Sequence, residues 1–346
     1  MISKLLFLAA LPLALACSGS ATDNDDQPIA PGPDTVRIPL TDLGTRTYKG
    51  FMGGLYPSGS NELPNAHAAR GLTAARAIRP LDVNGQPSAN GKYVLMSMGM
   101  SNTSQEFCAT AGTVCNAWTF SGKAAADPAV NHTTLYIANG AAGGQTADLW
   151  DSPNDANYNR VRDQVLMPAG LSEAQQIIWL QAVRRQPDIA LPNQNADAYI
   201  LLGWLGDVVR AAKTRYPNLR QIFVSSRTYA GFATTTLNPE PYAYETAFAK
   251  KWLVEAQIKQ LDAGTIDARA GDLALSRAPW LAWGPYFWAG DSAQPRSDGF
   301  FWVRQDFEND GTHESQLGEE KAGRLLLEFF KTAPLTRCWF LAGQTC

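Results

Sequence analysis

The chain has few histidines and no block of positive charge. Its three histidines, His67, His132 and His313, are scattered among 346 residues, and no two cysteines have the CxxC spacing. This distribution argues against a zinc site. The formal net charge is −3, and no basic run stands out, so the sequence lacks the electrostatic signature of nucleic-acid binding. We therefore expect no metal, no cofactor and no nucleic-acid partner.

The sequence also lacks an apolar run that is long enough to cross a membrane. Its most prominent apolar run covers residues 5–16, follows Lys4 and ends in small residues. This pattern is too short for a spanning helix and is typical of a secretory signal peptide, here residues 1–16. Cys17 follows directly and resembles the lipidated cysteine of a bacterial lipobox, although ordinary cleavage after Ala16 is the alternative. We expect a bacterial exported protein: periplasmic, anchored to the outer membrane, or a cell-surface lipoprotein. Any membrane contact would be made only through the lipid anchor.

Large apolar residues are also scarce just after the signal peptide. Residues 18–35 are rich in Ser, Asp, Pro and Gly and cannot bury a core, so residues 17–36 are predicted to be a flexible tether. About 310 residues follow, a length that suits one large domain. Since we find no second linker and no internal repeat, we predict a single domain over residues 37–346.

The other four cysteines form two pairs that are close in sequence. Cys108 lies near Cys115, and Cys338 lies near Cys346. In an exported protein these pairs predict two local disulfides, although four cysteines allow three pairings.

Short apolar runs alternate with helical patterns in the domain. The runs at residues 93–98, 134–138, 176–180 and 221–224 are typical of buried strands, and residues 197–215 and 242–261 have helical spacing. Such alternation predicts an α/β fold with a parallel sheet covered on both faces. Ligands bind beyond the carboxyl ends of such strands. The candidate residues after these strands are Ser101, Gly143, Gly144 and Arg227.

An acid and a histidine are three residues apart near the C-terminus. Asp310-Gly311-Thr312-His313 precedes a helical pattern at residues 319–330. Imidazole titrates near neutrality and suits a general base, which a carboxylate can orient. Ser101 could supply the nucleophile of a hydrolytic triad. The alternatives are an N-cap role for Ser101 and a capped helix start at Thr312.

Glycines follow the second predicted strand, in the segment 139–146. They let the backbone approach a ligand, and an amide at Gly144 could stabilise an oxyanion. The alternative is an ordinary glycine-rich turn. The Ser101 segment is not the G-x-S-x-G elbow of the α/β-hydrolases, because Thr103 occupies the last position.

In order along the chain, these segments resemble the SGNH (GDSL-type) hydrolase superfamily over about residues 93–332. The resemblance implies a three-layer α/β/α sandwich with a mostly parallel, flavodoxin-like sheet. It implies that Ser101 is the nucleophile of a serine esterase, with Met100 in place of the usual preceding aspartate, and that Asp310 and His313 complete the triad. The backbone amides of Ser101 and Gly144 would form the oxyanion hole.

The third block of the family is where this sequence departs from the pattern. After the strand at residues 176–180 stands Gln181 rather than a Gly-x-Asn-Asp sequence. Gln181 could supply the third oxyanion donor in the place of asparagine, and Asn102 is the other candidate.

A segment dense in aromatics precedes the acid–histidine motif. Its rings either pack in the core or stack on sugar rings at the rim of a pocket. Trp288 and Arg227 are the candidate substrate-binding residues. Export and aromatic walls favour an O-acylated saccharide, most simply an acetyl ester. A non-catalytic carbohydrate-binding lipoprotein and an acyltransferase on the same fold are the alternatives. The aromatics are Trp280, Trp283, Tyr286, Phe287, Trp288, Phe300, Phe301 and Trp302.

Overall fold

A five-stranded sheet in which all neighbouring strands are parallel lies at the centre of the computed structural model, which describes residues 36–108, 114–174 and 177–344. The strand order is β4-β3-β5-β6-β7. A two-stranded antiparallel hairpin, β1 and β2, lies near the start. The strands are β1 (Thr47–Tyr48), β2 (Phe51–Met52), β3 (Tyr93–Gly99), β4 (Leu135–Ala138), β5 (Ile177–Gln181), β6 (Gln221–Val224) and β7 (Trp280–Trp283).

Helices cover both faces of the sheet in the described residues. They are α1 (Leu40–Leu43), α2 (Asn65–Arg76), α3 (Ser101–Phe107), α4 (Phe120–Ala126), α5 (Ala156–Val161), α6 (Asp197–Arg215), α7 (Tyr242–Ala263), α8 (Gln316–Thr332) and α9 (Arg337–Phe340). Shorter 3₁₀ and π turns connect some of them.

Side chains alternate between the two sheet faces, as the period of a strand requires. On β5, Ile178 and Leu180 pack in one cluster with residues of α5, α6 and α7. Ile177 and Trp179 pack in the other cluster with residues of α2, α3, α4, α8 and α9. The sheet therefore lies between two helical layers, and the predicted three-layer α/β/α fold is confirmed.

Most predicted elements have the expected positions. The strands predicted at 93–98, 134–138 and 221–224 match within one residue, and the run at 176–180 forms Ile177–Gln181, with residue 176 outside the described residues. The helix at 197–215 has the predicted bounds, whereas α7 and α8 are longer than predicted. The fifth strand, Trp280–Trp283, was missed, because we read these tryptophans only as core or rim aromatics.

Some predictions concern residues that the structure does not describe. The signal peptide, Cys17 and nearly all of the tether lie outside the described residues, as does Cys346, so these remain predictions. The disulfide between Cys108 and Cys115 is present. Among the helices of the described residues, none has the length and apolar character needed to cross a membrane.

Candidate active site

The predicted serine, histidine and aspartate are joined in one chain of hydrogen bonds. Ser101 begins α3 just after β3, and its Oγ lies 2.8 Å from Nε2 of His313. Nδ1 of His313 lies 2.6 Å from Oδ2 of Asp310. An ionised carboxylate can only accept, so the Nδ1–H donates to Asp310 and Nε2 is left to accept the serine proton. This is the tautomer that a general base requires.

The second carboxylate oxygen of Asp310 is held by the backbone of its own loop. Oδ1 accepts the N–H of Thr312 at 2.9 Å and that of His313 at 3.0 Å. Partial burial acts to raise the pKa of Asp310, but the hydrogen bonds from His313 and Thr312 outweigh it and place this pKa below its usual range. Asp310 is therefore ionised at neutral pH, as the orientation of His313 requires.

Gly311 makes the tight acid–histidine loop possible. Its φ is +65°, and a Cβ atom there would lie 1.9 Å from the carbonyl oxygen of Phe232. A side chain would thus be opposed by both the left-handed backbone and a direct clash. Glycine between Asp310 and Thr312 is a geometric requirement of this site.

We expect Gly311→Ala to reduce ester hydrolysis at least about tenfold and to lower the melting temperature, because the loop must shift to relieve the clash. Gly299→Ala is the matched control. Gly299 also has a left-handed φ, +81°, but nothing lies within 4 Å of its Cβ position. The control should show only the backbone cost of about 1–2 kcal/mol in a denaturation experiment and should keep its activity. Equal activity of the two variants would contradict this account.

A buried clamp links the residues beside Ser101 to the residues on either side of His313. Nδ2 of Asn102 donates to the carbonyl oxygen of Thr312 at 2.9 Å and to Oε2 of Glu314 at 2.6 Å. The hydroxyl of Thr228 donates to Oε1 of Glu314 at 2.7 Å. The sequence analysis gave Glu314 no role in the site and considered Asn102 there as an alternative oxyanion donor. Because both side-chain hydrogens of Asn102 are used, its amide holds the histidine loop in place.

Asn102→Ala is expected to lower kcat about 10- to 100-fold with a smaller change in KM, since His313 loses its fixed distance to Ser101. It also leaves one oxygen of the buried Glu314 without its donor, which costs about 1–3 kcal/mol of stability. Asn90→Ala, at an exposed asparagine, is the control and should behave like the wild type. A loss of stability without any loss of kcat would show that the clamp does not position the histidine.

The backbone amides of Ser101 and Gly144 are the oxyanion donors expected from the sequence. Ser101 and Gly144 line the same cavity of about 240 Å³. Gly144 has a φ of +76°, and the space around its Cβ position is open. Gly144 therefore adds no side chain to this part of the cavity wall.

The third donor that we expected is directed elsewhere. Gln181 is fully buried, and its Nε2 donates to Oε1 of Glu106 at 3.2 Å and to the carbonyl oxygen of Ser226 at 3.0 Å. Gln181 does not belong to the cavity lining. The structure thus places its amide in the support beneath α3 rather than at the reacting carbonyl.

The two predicted substrate-binding residues occupy different environments. Arg227 lines the cavity but is only 1% exposed, and its Nη2 lies 3.4 Å from the carbonyl oxygen of Thr312. Trp288 is buried in the core, donates its indole N–H to Glu240 at 2.7 Å and does not line the cavity. We therefore do not carry Trp288 into the proposed site.

Arg227 belongs to a buried charged cluster beneath the histidine loop, together with Glu106, Lys250 and Glu314. Burial, reinforced by the neighbouring Glu314 and opposed by Arg227, raises the pKa of Glu106 well above its usual range. Burial and repulsion from Arg227 lower the pKa of Lys250 to about 7. The raised pKa favours the neutral form of Glu106, which reduces the cost of burying so many ionisable groups.

Several cavity residues were not identified from the sequence. Arg185 follows β5, so the rule that ligands bind at the carboxyl ends of strands could have indicated it. Leu237 and Asn238 lie in the long loop between β6 and α7, which also holds Arg227, but more than ten residues after the end of β6. The full lining is Met100, Ser101, Asn102, Gly143, Gly144, Thr146, Val183, Arg185, Arg227, Leu237, Asn238, Thr312 and His313. Among the described residues, no group of three or more His, Cys, Asp or Glu side chains could hold a metal ion.

The chain is similar to several solved structures, three of which share 12–14% of its sequence. The extracellular lipase of Streptomyces rimosus is 13% identical with a TM-score of 0.35, over 68% of this chain and 99% of that one. A protein described as a GDSL-like lipase from Parabacteroides merdae is 12% identical with a TM-score of 0.36, over 72% and 97% of the two chains. Phospholipase A1 from Streptomyces albidoflavus is 14% identical with a TM-score of 0.28, over 69% and 98%.

No protein-family model matches the sequence, and no curated protein does. At such identities and scores, the structural likeness supports no statement about activity. The functional argument therefore rests on the residues of this chain.

Proposed function

We propose that the protein is an exported serine esterase of the SGNH (GDSL-type) class. The observation that carries this proposal is the hydrogen-bond chain from Ser101 through His313 to Asp310, which opens onto a cavity. A nucleophile, a base and an orienting carboxylate in this geometry are the requirements for acyl transfer through a covalent intermediate.

In the proposed reaction, Oγ of Ser101 attacks the ester carbonyl carbon while Nε2 of His313 takes the serine proton. The backbone amides of Ser101 and Gly144 bind the oxyanion of the tetrahedral intermediate. The carbon–oxygen bond to the alcohol then breaks, and His313 gives its proton to the departing alkoxide. Water then attacks the acyl carbon while Nε2 of His313 takes its proton. The bond from that carbon to Oγ of Ser101 breaks, His313 returns the proton to Oγ, and the carboxylic acid is released.

The acyl group that we propose is short, most simply acetyl, because a cavity of about 240 Å³ leaves little room beside the alcohol part. The alcohol part that we propose is a saccharide. This part of the proposal rests on the predicted signal peptide and tether, since the aromatics at residues 280–302 do not line the cavity.

The test is hydrolysis of p-nitrophenyl esters of increasing chain length by the purified protein, followed by labelling with a fluorophosphonate. We expect turnover that is fastest for acetate and a phosphonate adduct located at Ser101 by peptide mass spectrometry. A label on another residue would reject this nucleophile. Failure to hydrolyse any p-nitrophenyl ester or sugar acetate would reject the esterase.

A further inference from the structure

The charged side chains that line the cavity are basic, although the net charge of the chain is −3. Apart from His313, they are the guanidinium groups of Arg185 and Arg227, and none of the described lining residues is Asp or Glu. A concave site with one sign of charge concentrates the local field and attracts ligands of the opposite sign.

The two arginines differ in how their charges are balanced. Arg227 is buried beside Glu106 and Glu314, so carboxyl groups of the protein surround it. Arg185 is exposed, and it makes no hydrogen bond or ion pair with the described residues. Its neighbour Arg184, by contrast, pairs with Asp197 and is held in place. Arg185 is therefore the cation that remains available to a ligand.

Two buried side chains of the same lining keep some of their polar atoms unpaired. Nε and Nη1 of Arg227 and Oδ1 of Asn238 make no hydrogen bond with the described residues. Both residues are more than nine-tenths buried, and both line the cavity. Buried polar atoms are normally paired. These atoms have almost no accessible surface, so it is the exposed guanidinium group of Arg185 that a ligand in the cavity can reach.

We propose that the cavity selects esters that carry an anionic group, a carboxylate or a phosphate, and that Arg185 binds this group. This inference rests on the proposed esterase activity and adds the chemical class of its substrate. A guanidinium group presents parallel N–H donors that match the two oxygens of a carboxylate or phosphate. On a saccharide, the substrate class is an O-acylated uronic acid or an O-acylated sugar phosphate.

The experiment compares monoacetates of methyl glucoside, methyl glucuronide and methyl glucoside phosphate, which differ in charge but share the ester. We expect kcat/KM for at least one anionic ester to exceed that for the neutral ester about tenfold at low salt. Higher salt should reduce the ratio, because Arg185 is exposed. The preferred anionic ester identifies whether the group is a carboxylate or a phosphate.

Arg185→Gln should bring this ratio close to one, and Arg185→Lys should restore part of it. Arg324→Gln removes an exposed arginine on α8, outside the cavity, and should leave the ratio unchanged. Equal rates for the neutral and anionic esters would overturn the inference and leave the esterase intact. A ratio that survives Arg185→Gln would overturn the role of Arg185.

The two proposals can fail separately. Hydrolysis of p-nitrophenyl acetate reports the triad and does not require an anionic group. If no ester is hydrolysed, calorimetric titration of the wild type with methyl glucuronide, methyl glucoside phosphate and methyl glucoside still tests the anion site. Tighter binding of either anionic sugar, lost in Arg185→Gln, would support the site, and equal or absent binding would overturn it.

Discussion

Ser101→Ala is expected to lower kcat/KM for p-nitrophenyl acetate by about 10⁴-fold or more, leaving only what the oxyanion amides and binding contribute. The hydroxyl of Ser101 is hydrogen-bonded to Nε2 of His313, the atom that must accept its proton. Without it, no acyl-enzyme can form. The melting temperature should be nearly unchanged, because a single partly exposed hydroxyl is removed.

Ser121→Ala provides the matched control for this variant. Ser121 is a buried serine on α4, and its Oγ makes no hydrogen bond with the described residues. Its removal should leave both activity and stability close to those of the wild type. Activity that persists in Ser101→Ala, with Ser121→Ala as reference, would place the nucleophile elsewhere.

Asp310→Asn should lower kcat/KM at neutral pH by about 10³- to 10⁴-fold. The amide of asparagine can donate to Nδ1 of His313, which would place the ring proton on Nε2 and remove the acceptor for the serine proton. Asp163→Asn, at an exposed carboxylate paired with Arg162, is the control and should keep full activity. Wild-type activity of Asp310→Asn would show that His313 does not need this carboxylate.

The same substitution should change how stability depends on pH. The folded pKa of Asp310 is lowered by hydrogen bonds to His313 and Thr312 that outweigh burial. Ionised Asp310 therefore stabilises the fold above its unfolded pKa of about 3.9, and this contribution is lost as the pH falls through the folded pKa. Urea denaturation across that pH range should show that the free energy of unfolding falls less steeply on acidification for Asp310→Asn than for the wild type.

The pairing of Asp310 with His313 was predictable because it is local. Two residues three positions apart on one loop can meet without any knowledge of the fold. Ser101 is 212 residues from His313, so its place in the site depended on topology. Ser101 follows β3, the strand between β4 and β5, where the ends of parallel strands meet, and this placement brings it to His313.

Gln181 shows where sequence position alone misleads. It stands after β5 in the place of the family asparagine, but strand periodicity puts it on the same face as Ile177 and Trp179. That face packs against the layer that contains α3, so the side chain reaches Glu106 instead of the cavity. Counting two residues at a time along β5 would have predicted this orientation.

Local pattern does not mark the fifth strand, and it does not distinguish Arg185 from Arg184. Trp280–Trp283 is short, aromatic and buried on both faces, so no alternation marks it as a strand. Arg184 and Arg185 are adjacent and chemically identical in sequence. Only the tertiary contact between Arg184 and Asp197 separates a structural arginine from one that faces the cavity.

The clamp joins Asn102 to Thr312, 210 residues away in the chain, and to Glu314, 212 residues away. Contacts at such separations form only after the intervening strands have been ordered, and a high share of them slows folding. Recovery of esterase activity after dilution from denaturant therefore measures completion of the whole sheet. Activity should return no faster than the slowest change in tryptophan fluorescence, which follows burial of Trp179 and Trp280.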